Sequence, residues 1–169
     1  MILILIGMAL IFLPLPIPIP VIEAGAVLFL DYMPHWLGYA LVLWGLARSA
    51  SSPSRGSAMA VAAGSILVSG VVWVVLMMGT VVPFPLTEIF QVLLTYYIML
   101  WCEEQAEMED SYYIGRLRLS WYALVGSRVA AIVLGTVMVS LGWMWSVAAI
   151  VAGSFYTYTY FRLRTLERQ

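Results

Sequence analysis

From Ala58 to Gly79 no side chain carries a charge, and other long stretches of the chain are nearly as apolar. Runs of this kind constrain the fold more than any motif does, because each must be buried or placed in lipid. A soluble domain is about half apolar and a quarter charged. This chain of 169 residues is 63% hydrophobic and 10% charged. At this length there is too little interior to hide so much apolar surface. The expected fold is an all-α integral membrane bundle of about six transmembrane helices in a single domain (about 20 residues per span).

The expected spans are 1–13, 31–48, 58–79, 86–102, 119–140 and 143–161. The first is short. It lacks the basic start of a signal peptide, and the small residues Ala24-Gly25-Ala26 lie far beyond its apolar run, so it is read as retained. Pro14-Leu15-Pro16-Ile17-Pro18-Ile19-Pro20 follows. Proline at every second position forbids a helix and favours an extended, polyproline-like path. Its unpaired carbonyls keep it away from lipid. Residues 21 to 30 are apolar but too short to span, and read as a loop or re-entrant piece. Ser49 to Ser57 is a polar linker, residues 82 to 85 a proline turn, and Glu103 to Arg118 the longest aqueous stretch. Short loops make sequential helices antiparallel neighbours.

The arginines orient the chain. There is no lysine, and Arg48, Arg55, Arg116, Arg118, Arg162, Arg164 and Arg168 all fall at span ends that share one side in a six-span arrangement. The opposite loops, 14 to 34, 80 to 87 and 140 to 143, hold no arginine. The positive-inside rule makes the arginine side cytoplasmic, with both termini inside. Trp143 and Trp145 would form the outer aromatic belt, and Trp121, Tyr122, Tyr156, Tyr158 and Tyr160 the inner one. Small residues at 60 and 64, at 127, 131 and 135, and at 149 and 153 mark helix contacts, first inside the bundle and alternatively on a dimer face.

Several polar residues are candidates for a site. Asp31 reads as the N-cap of the second span, with Pro34 in its first turn and His35 on the same face. The pair would serve either as a cap and interfacial ring or as a titrating contact at the outer mouth. Glu88 suits the N-terminal dipole of the fourth span. Together with Glu23 and Asp31 it would form an acidic outer vestibule attractive to cations. Arg128 lies deep in the fifth span, where a charge snorkels, pairs with Glu103 or Glu104, or meets a ligand. Glu103, Glu104 and Glu107 share a helical face at the inner surface, as a solvated end or a cytoplasmic interaction site. Their spacing is not that of a calcium loop.

The segment Asp31, Pro34, Gly38-Tyr39, Leu41, Gly45-Leu46 and Arg48 resembles a motif of small polytopic membrane proteins of Gram-positive bacteria. Those proteins carry no assigned activity, so the resemblance implies a membrane fold and leaves function open. They often have a second Asp after the proline, where this chain has His35. The resemblance covers residues 31 to 48 only.

Other chemistry is not signalled. A net charge of −1 argues against nucleic acid. One cysteine, Cys102, and one histidine leave no thiolate or paired-histidine metal site. Nucleotide loops, serine-hydrolase elbows and zinc-protease motifs are missing, so no cofactor is expected and no catalytic residue is assigned. The expected function is an accessory or interaction subunit in a bacterial cytoplasmic membrane, contacting lipid and either a second copy or a membrane partner protein. The alternatives are a small transporter or channel lined by Arg128 and the outer acids, and a lipid-modifying enzyme.

Overall fold

The computed structural model describes residues 2–12, 16–21, 26–31, 34–78, 86–105, 111–137 and 139–166. Among them are six helices and one β-hairpin: α1 (Ile2–Phe12), β1 (Pro16–Val21), β2 (Ala26–Asp31), α2 (His35–Ala47), α3 (Pro53–Met77), α4 (Leu86–Gln105), α5 (Ser111–Val137) and α6 (Val139–Leu166). Every sequential pair of helices is in contact, and α1 also meets α6, so the helices form a closed ring. The core runs through all six. Ile4, Met8, Val42, Leu46, Leu94, Ile98, Trp101, Leu117, Leu124 and Tyr156 are each essentially inaccessible.

The proline run is extended, as its composition requires, but it pairs. β1 and β2 are antiparallel, with Pro16 opposite Asp31, Pro18 opposite Phe29 and Pro20 opposite Val27. In such a ladder alternate residues turn their N–H groups toward the partner. Prolines at every second position can all take the outward positions, leaving Ile17, Ile19 and Val21 to supply the ladder donors. The prolines then remove the unpaired N–H groups from the free edge. Residues 26 to 31 are thus a strand and not a loop or re-entrant segment.

That strand also takes Asp31 out of the helix. α2 begins at His35 behind Pro34, and no side chain caps it. Asp31 and His35 therefore do not share a helical face. At the other end of the bundle, α4 continues to Gln105 and α5 starts at Ser111, so much of the expected aqueous stretch is helix. α6 already begins at Val139, so the turn expected at 140 to 143 is helix.

Glycine sets the contact between α1 and α2. A Cβ on Gly7 would come within 2.6 Å of the Gly38 carbonyl, and one on Gly38 within 2.8 Å of the Gly7 carbonyl. Gly45 sits equally tightly on Ile4. α1 and α2 meet backbone to backbone, the approach that small residues allow. Their 11 and 13 residues rise only about 16 and 20 Å, less than the roughly 30 Å of a bilayer core.

One helix among the described residues is long and apolar enough to cross a membrane, over Pro53–Val75. Only 22% of its apolar window is buried, unlike the core helix of a soluble protein.

Candidate functional site

α3 has an inverted polarity. Its buried face carries Ser54, Ala58, Ala62, Ser65 and Ser69, and its exposed face carries Gly56, Ala60, Ala63, Leu67, Val71, Val74 and Met77. The outward residues are the more apolar. Leu67 is 71% exposed and Val71 64%, although both belong to the residue types most often buried in water-soluble proteins. The spacing 56, 60, 63, 67, 71, 74, 77 steps by three or four residues, one continuous face along the helix. Its first half is small, with Gly56, Ala60 and Ala63, and a Cβ added at Gly56 meets nothing within 4 Å. Ala60 faces outward, against the internal-packing reading, while Gly64 meets Phe90. Ala149 and Gly153 are internal as expected, with Gly153 pressed on the Phe12 ring. Ser127 is buried, and the side chains at 131 and 135 lie outside the described residues.

Inside the ring the buried serine and threonine hydroxyls are held by neighbouring carbonyls. Ser65, Ser69, Thr95, Ser120, Ser127 and Thr159 donate to carbonyls three or four residues earlier on their own helices. This is the usual way to hide a hydroxyl in an apolar setting. Tyr156 on α6 donates to the Thr95 carbonyl on α4 at 2.6 Å, and Gln91 donates to the Ile11 carbonyl at 3.2 Å. His35 Nδ1 lies 3.2 Å from the Leu10 carbonyl, which can only accept, so that nitrogen carries the proton. His35 and Gln91 thus satisfy two carbonyls at the end of α1, groups a helix cannot satisfy itself. Sequence reasoning passed over Gln91. Its signal is a lone amide on an otherwise apolar helix face.

Glu88 and Arg128 are both partly buried. Each acts electrostatically on the buried hydroxyl of Tyr39, which places acid, base and phenol in one neighbourhood. Glu103 and Glu104, the expected partners of Arg128, are committed elsewhere. Glu103 forms a two-pronged ion pair with Arg118, with Nη2 to Oε2 at 2.9 Å. Glu104 accepts from the Ser54 hydroxyl and, at 3.3 Å, from the Ser54 backbone N–H. The two acids therefore join α4 to two different helices. Glu23 and Glu107 lie outside the described residues, and so does the side chain of Asp31.

Glu104 completes the start of α3. Ser52 caps this helix, accepting from the Arg55 N–H at 3.3 Å, and Pro53 takes the first helical position. A carboxylate at a helix N-terminus is favoured by the dipole. The Ser54 and Ser52 hydroxyls hold the Glu104 carboxyl below its usual range.

A rim of arginines circles the same end. Arg48 lies 4.6 Å from the Trp44 ring, Arg116 5.4 Å from Tyr112 and Arg162 5.8 Å from Tyr158. Each pair is an aromatic residue followed four positions later by arginine, so the two share a helical face. That repeated spacing was visible in the sequence and was missed there. Arg162 also donates to the Tyr158 hydroxyl at 3.0 Å, which raises its already high pKa, as the ion pair with Glu103 does for Arg118. Cations stacked on rings, with apolar stems below, suit a water–membrane boundary. The Trp143 and Trp145 side chains lie outside the described residues.

No group of three or more metal-ligating side chains occurs among the described residues. Comparison with protein-family models, curated proteins and solved structures finds no match.

Proposed function

We propose that this chain is a multi-pass protein of the bacterial cytoplasmic membrane, with its arginine rim inside, acting as an interaction subunit through the outward face of α3. The observation that carries this reading is the inverted polarity of α3. A helix whose exposed face is more apolar than its buried face is matched to lipid or to another membrane helix, not to water. The small first half of that face permits close approach, and the larger second half supplies contact area. The core is compatible with a support role, since its buried serine and threonine hydroxyls and Gln91 already have partners. The motif at 31 to 48, with its resemblance to small membrane proteins of Gram-positive bacteria, fits the same setting.

The test is cysteine crosslinking in native membranes, with Cys102→Ser as background. Cysteines at Gly56, Ala60, Ala63 and Leu67 are expected to crosslink to a second copy or to a protein of different mass. Cysteines at the buried Ala58 and Ala62 are expected not to. Equal crosslinking on both faces, or none on either, contradicts the proposal.

A further inference from the structure

At one place on the rim, charge and an open apolar surface adjoin. Between α1 and α6 runs a groove of about 470 Å³, lined by Leu5, Ala9 and Phe12 on one side and Thr157, Tyr158 and Phe161 on the other. A smaller hollow of about 70 Å³ lies between α5 and α6, lined by Tyr113, Arg116, Tyr158 and Arg162 among others. Tyr158 belongs to both. Its ring is the wall between an apolar channel and a pair of guanidinium groups.

We propose that this feature binds one anionic phospholipid, with its phosphate against Arg116 and Arg162 and one acyl chain in the α1–α6 groove. The inference rests on the membrane reading above and adds a site to it. Charge complementarity selects the occupant. Two arginines on neighbouring helices converge on one hollow, and guanidinium donors match phosphate geometry. The groove offers chiefly hydrocarbon, interrupted by the Ser154 and Thr157 hydroxyls, and Thr157 already donates to the Gly153 carbonyl. A soluble anion would fill the hollow and leave the groove empty. A neutral lipid would use the groove and ignore the arginines. An anionic lipid uses both. The inner leaflet, where the arginine rim is placed, is also the leaflet whose anionic lipids attract such residues.

The site is tested on the full chain by native mass spectrometry, adding phosphatidylglycerol or phosphatidylcholine of the same acyl chains. The expected result is a preference for phosphatidylglycerol that weakens about thirtyfold in R116Q/R162Q, from roughly one increment of surface attraction per arginine. R48Q, which removes another rim arginine away from the hollow, should keep the preference. A9W, which fills the groove, should lower retention of both lipids. An unchanged preference in R116Q/R162Q overturns the site, and so does an equal loss in R48Q. Carbonate washing of the source membranes separates the two claims. Release of the protein there ends the membrane reading itself, whereas retention with indifferent lipid binding ends only this site.

Discussion

Gly7 and Gly38 show how single residues hold this molecule together. Each faces the other's carbonyl oxygen at less than an ordinary contact distance for a methyl group. Gly38→Ala therefore has to push α1 off α2. The expected loss is about 1–3 kcal/mol, the usual range for overpacking, read as a lower melting temperature in detergent. An unchanged melting temperature would show that the two backbones are not in contact. Glu104 makes a prediction about pH. Its carboxyl is held below the usual range in the fold by the Ser54 and Ser52 hydroxyls, so its stabilising effect is present above the unfolded value of about 4.3. That effect is lost as the pH falls through the lowered folded value. Glu104→Gln should melt below the native protein at neutral pH and converge with it in acid. A constant gap from neutral pH to pH 3 would contradict the assigned contacts. Arg128 was legible as unusual from burial cost alone and Glu88 as an acid suited to a helix start, but Tyr39 beside them was not, because a tyrosine in an apolar run gives no sign of what its hydroxyl meets.

At the scale of elements, α3 and the proline hairpin mark the limits of reading a chain by pattern. The length and apolarity of α3 were plain, while the turn expected at 82 to 85 lies outside the described residues. Its outward face was not, since Ala60 and Gly64 look alike in sequence and the fold turns them to different neighbours. The hairpin was missed for a physical reason. Proline is normally evidence against a strand, because it cannot donate to the ladder. Here the spacing of two places every missing donor on the edge that has no partner. A partner strand was needed to see this, and residues 26 to 31 resembled a short buried loop. The same strand corrected Asp31, whose position before Pro34 gave a plausible cap. The arginine rim follows from a repeated aromatic-to-arginine spacing on α2, α5 and α6, a regularity that emerges once the three helix ends are brought to one level.

For the whole molecule, six helices in sequential contact and the closure of α1 on α6 follow from short connections between apolar segments. The apolar run showed that α1 is short, but not that α2 is short as well, with the hairpin between them. Their combined path from rim to hairpin takes the place of two full-length helices. The central claim is that this bundle sits in a membrane with its arginine end inside, and one experiment bears on it most directly. In a Cys102→Ser background, single cysteines are placed at Ser51, beside the rim, and at Thr87, beside the start of α4. Intact cells are treated with a membrane-impermeant maleimide, and then again after lysis. The account predicts labelling at Thr87→Cys in intact cells and at Ser51→Cys only after lysis. Labelling of both positions from the same side, or the reverse order, would contradict it.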